Sequence, residues 1–260
     1  MVCNKFLRDH NWSLFYFYVI IKLNLKGMKI IKTLFMDISA YQPSDLNWFK
    51  EKWSQGFRGV VVKVTEGDET GTNYVSPKWI EQVNNALTVG FQVGVYHFAR
   101  YSSVENAKNE ARFFLNQVNQ YGFDNTTVCM VDCETNDYGL DAGTYQAATN
   151  AWLDVVRRYY PKVSVYASYS WWTSGMLNSH NIGDAIAWVA GYDVDDLGID
   201  NAGAWQFDNG TRYGYGVDSN YDFTGAFTSP QTPVEPQAPN GGDPKVITLK
   251  SGEKVVIQSE

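Results

Sequence analysis

Two carboxylates separated by one residue, Asp132 and Glu134 in the run Cys129-Met-Val-Asp-Cys-Glu134, carry the most chemical information in this sequence. The run reads as a strand, in which side chains alternate. Positions 132 and 134 then share one face about 6.6 Å apart along the backbone, and Cys129, Val131 and Cys133 share the other. Like charges that close do not both ionise freely, so one carboxyl pKa is expected to rise. A protonated carboxylic acid beside an ionised carboxylate is the working pair of glycoside hydrolysis: one protonates the leaving oxygen and the other stabilises positive charge at the sugar carbon. Two more acids occupy comparable places: Asp37 ends the first apolar run and Asp218 lies on the last. Other readings of these acids stand beside the first, namely a solvated rim, a helix cap, or a magnesium site.

The elements that must hold these acids alternate along the chain. Apolar, β-branched runs at 34–38, 59–64, 91–98, 128–131 and 163–167 are bounded by turn residues, and helical patterns at 45–55, 77–89, 102–119 and 143–160 fall between them. Strand followed by helix, repeated, predicts an α/β fold with a parallel sheet. The later runs at 185–190, 204–207 and 217–223 come too close together for full helices between them. An irregular barrel that begins as β/α units and closes with near-consecutive strands fits this rhythm best; an open doubly wound sheet is second. In a β/α barrel the chemistry sits at the C-terminal ends of the strands, which is where the acids fall.

Composition narrows the partners. With 44% hydrophobic and 19% charged residues in 260, the chain is predicted to fold rather than remain disordered. Its net charge of −7 argues against a nucleic-acid partner, which demands clustered Lys and Arg. No glycine-rich phosphate fingerprint follows any strand, so no nucleotide is expected; no metal site is assigned and no cofactor is expected. The three cysteines are an odd count, and Cys129 and Cys133, about 13 Å apart in one strand, cannot pair.

The two ends differ from the middle. Residues 1–33 form a basic and apolar leader, with six Lys and Arg against Asp9. Its apolar run at 14–21 is far short of the roughly 20 residues that span a bilayer, and no small-residue cleavage site follows it. Neither a membrane span nor a convincing signal peptide is predicted. Five of the eight prolines fall at 230–244, predicting a Pro-rich linker over 228–245. The tail 246–260 reads as two short strands around Ser251-Gly252, either the first hairpin of a truncated module or a loose tail.

The middle, 34–227, resembles the family 25 glycoside hydrolases, the lysozymes (N-acetylmuramidases) of bacteria, fungi and phage endolysins. The resemblance rests on eight short motifs in order: Met36-Asp-Ile-Ser39 with Gln42, Val62-Lys-Val-Thr-Glu-Gly67, Gly94-Val-Tyr-His-Phe98, Val131-Asp-Cys-Glu134, Val165-Tyr-Ala-Ser168, Ala187-Trp-Val-Ala-Gly-Tyr192, Ala204-Trp-Gln-Phe207 and Val217-Asp-Ser-Asn220. It implies an irregular TIM-like barrel of five β/α units followed by three strands. It also implies that Asp37, Asp132, Glu134 and Asp218 form the catalytic set, with Glu134 as general acid and Asp132 placing the substrate's 2-acetamido group. The implied substrate is bacterial peptidoglycan, cut outside the cell membrane at the β-1,4 bond between N-acetylmuramic acid and N-acetylglucosamine. Release through a separate pore, as for phage endolysins, would suit a chain without a signal, and a monomer is expected.

Around these acids, Tyr96, Tyr166, Tyr192 and Trp205 are candidates to stack on sugar rings, with ordinary barrel packing as the alternative. Gln206 joins them as a substrate contact. Lys63 and Glu66 either line the groove or form a buried ion pair. His97 is expected to be a hydrogen-bonded barrel residue, because its neighbours Tyr96 and Phe98 point the other way. Trp171-Trp172 reads as a sugar platform or as a cap on the outer layer. A chitinase-type barrel also uses a strand-end DxE but wants Asp where Met130 stands. A wall-binding barrel without turnover would not need all four acids.

Overall fold

The computed structural model describes residues 33–228, 245–248 and 254–257. The leader apart from Thr33, and the linker between Thr228 and Lys245, lie outside them.

Eight strands close into a ring because the first pairs with both the second and the last. In chain order these are β1 (Thr33–Ile38), β2 (Phe57–Glu66), β4 (Gln92–Phe98), β5 (Cys129–Asp132), β6 (Val163–Ser168), β7 (Ile186–Ala190), β8 (Ala202–Asn209) and β9 (Asp218–Asp222), while the two-residue β3 (Tyr74–Val75) hangs on the end of β2. All are parallel to their neighbours in the ring except β9, which runs antiparallel to β8 and β1. Five helices follow the first strands: α1 (Leu46–Ser54), α2 (Trp79–Val89), α3 (Val104–Tyr121), α4 (Ala142–Val156) and the short α5 (Tyr169–Thr173). The architecture is therefore five β/α units and then three strands, a closed TIM-like barrel. The β1–β2 pairing rules out the open sheet.

Local chemistry sets the helix ends. Asp45, Ser103 and Asp141 each accept a hydrogen bond from the backbone N–H three residues on, which satisfies one otherwise orphaned donor at the starts of α1, α3 and α4. Strand alternation divides the core in two. Phe35, Val61, Tyr96, Met130, Tyr166, Trp188 and Ala204 fill the barrel interior. Their neighbours Met36, Val62, Val95, Val131, Val165 and Val189 face outward and pack with the helices.

The bottom of the barrel is plugged by the chain just after β9. Asp222 is buried and accepts from the backbone N–H groups of Thr224, Gly225 and Phe227 and from the hydroxyls of Thr224 and Thr228, curling residues 224–228 into a tight turn. That turn stacks Phe227 on Phe35, rings 4.5 Å apart and nearly parallel. It also brings the Phe227 carbonyl oxygen so close to Gly59 that a Cβ there would lie 1.9 Å away, so only glycine fits. In the tail, Lys245–Thr248 and Lys254–Ile257 pair antiparallel, Thr248 opposite Lys254. No helix among the described residues is long and apolar enough to cross a membrane.

Candidate active site

Three strands deliver the four acids to one mouth. On β1, Asp37 has the same parity as the inward Phe35, and in the antiparallel β1–β9 pairing it lies directly opposite Asp218. On β5, Asp132 pairs between Phe98 and Tyr166 and follows the inward Met130. Glu134 lies two residues past Asp132, beyond the strand end. The opposite face behaves as alternation demands: Cys129 and Cys133 are free and buried, and Cys133 Sγ lies 3.8 Å from Thr149 Oγ1 on α4. The acids converge on Tyr96, whose phenol is held well above its ordinary range by burial and then by Asp132, Asp37, Glu134 and Asp218.

The acids differ in environment. Asp132 is only 5% exposed, while Glu134 is open to solvent. Burial, followed by the charges of Glu134 and Asp37, pushes the Asp132 carboxyl well above the usual carboxylate range, and Lys63 opposes the shift. The neighbouring Glu134 carboxyl adds to that shift, and Asp132 Oδ1 is buried without a partner. Asp37 is raised to about 6, by burial and by Glu134, against hydrogen bonds from Asn220 and Gln206. Asp218 is raised to about 7 by burial, then by Asp37, Glu134 and Asp208.

At the edge of the mouth, Glu66 gathers two cations. Lys63 Nζ lies 2.6 Å from Glu66 Oε2, and Arg100 grips Oε1 through Nε and Nη2 at 2.9 and 2.8 Å. These bonds and charges outweigh burial and hold the Glu66 carboxyl below its ordinary range. Arg100 Nη1 also bonds Asp137 Oδ2 at 2.6 Å, which ties the loop after Glu134 to the end of β2. Among the described residues, no group of three or more His, Cys, Asp or Glu is arranged to hold a metal ion.

Residues 36–214 match the family described as glycosyl hydrolases family 25. The chain belongs to that family. A 146-residue stretch is 30% identical to lysozyme M1 of Streptomyces globisporus, covering 54% of this chain and 47% of that one, so the chain spans about half the length of this curated relative. The muramidase of Acremonium alcalophilum has a similar structure, with 25% identity, a TM-score of 0.60, and coverage of 74% of this chain and 93% of that one. A family 25 glycosyl hydrolase from Bacillus anthracis shares the fold at 20% identity and a TM-score of 0.61, over 75% of this chain and 91% of that one.

Within this family 25 barrel the remaining candidates separate. Gln206 is buried at the mouth, taking hydroxyl hydrogen bonds from Tyr166 and Tyr192 and donating to Asp37. Tyr96 and Tyr166 are nearly buried and form the floor, so neither can offer a full face to a sugar; Tyr192 is 43% exposed and can. Trp205 requires a correction. On β8 the inward residues are Ala204 and Gln206, so Trp205 takes the other face, packs with the outer layer, and donates from Nε1 to the Gly191 carbonyl at 2.7 Å. Lys63 and Glu66 do pair, but at the rim of the mouth rather than in the core. His97 faces the helices, held between Thr65 Oγ1 and Glu110 Oε2 at 2.8 Å each. Trp171 and Trp172 belong to the outer layer: Trp172 bonds the Ala167 carbonyl and Trp171 packs edge-on against Tyr145. Sequence reasoning missed Asn220, Trp188 and Arg100. Counting two along β9 from Asp218 would have placed Asn220 on the same inward face.

Proposed function

We propose that this chain is a muramidase that hydrolyses the β-1,4 bond between N-acetylmuramic acid and N-acetylglucosamine in bacterial peptidoglycan, acting on the wall outside the cell membrane. The observation that carries the reading is the convergence of Asp37, Asp132, Glu134 and Asp218 on Tyr96 at the C-terminal end of a closed barrel. The lysozyme and muramidase relatives support the substrate class.

Glu134 is the solvent-facing member of the pair, so it is the acid that can reach a glycosidic oxygen in an extended glycan. It protonates that oxygen as the bond to the muramic acid carbon breaks, and water adds at that carbon to leave a new reducing end. Asp132 lies beneath, buried, with the Glu134 carboxyl as its neighbour. Its unpartnered Oδ1 is an acceptor waiting for a donor, and the N–H of the 2-acetamido group is the donor the substrate supplies. Tyr192 offers an exposed ring for a neighbouring sugar.

Glu134→Gln should lower reducing-end release from purified peptidoglycan by about 10²–10⁴-fold while leaving the melting temperature unchanged. Mass spectrometry of the digest should find muramic acid at the new reducing ends. Wild-type release from chitin but not from peptidoglycan, or undiminished lysis by the variant, would overturn the assignment.

A further inference from the structure

Asp37 is held by two amide side chains, and each amide is itself held from behind. Gln206 Nε2 donates to Asp37 Oδ2 at 2.9 Å while Gln206 Oε1 accepts from the Tyr166 and Tyr192 hydroxyls. Asn220 Nδ2 donates to the same Oδ2 at 2.8 Å and to the Phe35 carbonyl at 3.3 Å, while Asn220 Oδ1 accepts from the Trp188 indole N–H at 2.8 Å. A flip of either amide would set a carbonyl oxygen against Asp37, and for Asn220 it would also set an N–H₂ group against the indole N–H, which can only donate. Gln206, Asn220 and Trp188 are all buried, so water cannot substitute.

We propose that Gln206, Asn220 and Trp188 are positioning residues that fix the protonation geometry of Asp37: Oδ2 is occupied by two donors, so a proton held by Asp37 sits on Oδ1. Tyr192 is the end of this relay that meets solvent, so a sugar that moves its ring also moves the Gln206 bond. The importance of Asp37 to turnover rests on the muramidase reading; the relay itself does not. The titratable groups facing Asp37 are Asp132 and Glu134 at the end of β5, Asp218 on β9, Tyr96 on β4, Tyr166 on β6 and Tyr192 after β7, with Lys63 on β2 acting on Asp132. Burial and the neighbouring acids favour protonated Asp37, and the two amide donors favour the ionised form.

The test is a carboxyl-carbon NMR titration of the full chain, with the Asp37 signal assigned by its loss in Asp37→Asn. Gln206→Met removes one donor without adding charge and should move the Asp37 titration upward by about one pH unit. Trp188→Phe keeps an aromatic side chain but removes the indole N–H that holds the Asn220 amide, and Tyr192→Phe removes one of two hydroxyls on Gln206; both should move it upward by less. If Gln206→Met fails to fold, the other two variants decide. The acid limb of the pH profile for wall lysis should shift with the titration. An unmoved Asp37 titration in the folded variants overturns the relay even if the wild type cuts peptidoglycan. A moved titration in a chain that releases no reducing ends keeps the relay and removes the muramidase reading.

Discussion

Glu110 and Asp132 lie on opposite sides of the wall formed by β4 and β5, and both are almost wholly buried, at 1% and 5% exposure. On the helix side, Glu110 Oε2 meets His97 Nε2 at 2.8 Å and the Arg100 backbone N–H at 3.0 Å. On the inner side, Asp132 has one oxygen without a partner and a second carboxylate as its neighbour. Burial is thus the same and satisfaction is opposite. The carboxyl on the helix side is met by donors, whereas the one at the barrel mouth is left wanting them at a cost to stability, as the muramidase reading requires of a group that meets substrate.

The contrast predicts opposite responses to mutation. Asp132→Asn should cut peptidoglycan hydrolysis by about 100-fold or more. The same change should raise the melting temperature at pH 8 by roughly 3 °C, because it removes a buried carboxyl that resists ionisation. A fall in melting temperature with activity retained would erase the distinction. Glu110→Ala should do the reverse, costing about 3–5 kcal/mol as one partner of a buried pair is lost, while turnover per folded molecule stays within a few-fold. Circular dichroism melts with active-site titration would check both.

The pH dependence of stability follows from the same inner acids. Asp37, Asp132 and Asp218 keep their protons in the folded chain at pH values where an unfolded Asp, near 3.9, has lost them. Their contribution is therefore complete below about pH 4 and is lost as pH rises through about 6 and about 7 for Asp37 and Asp218. Glu66 works the other way, since its lowered pKa contributes above the ordinary carboxylate range and is lost on acidification. The melting temperature should be higher at pH 5 than at pH 8, and the difference should shrink in Asp132→Asn. A higher melting temperature at pH 8 would contradict this. The smallest expected effect concerns charge at long range: the acidic body repels anionic wall polymers, so raising salt from about 0.01 M to about 0.15 M should strengthen wall binding modestly. Steady weakening would refute that.

What was legible in the sequence was what a period of two or a strand–helix rhythm can encode. The shared face of Asp132 and Glu134, the outward cysteines and the outward His97 all follow from alternation along one strand. For Trp205 alternation favours the packing alternative over sugar stacking, because its neighbour Gln206 takes the inward face. The relay behind Asp37 was not legible, since its bonds join residues 169 and 183 positions apart and depend on how the ring closes. The Arg100 grip on Glu66 likewise spans 34 positions and has no local signature.

The turn that plugs the barrel bottom carries a consequence for timing. Because β1 needs β9 as a neighbour, and Phe227 must stack on Phe35 to fill the floor, the first strand of a nascent chain has one bare edge until nearly 200 further residues have been made. Pairings of such long range are slow to form. Asp37 therefore acquires neither Gln206 nor Asn220 during most of synthesis, and an unfinished chain carries its acids without the site that would make them work together.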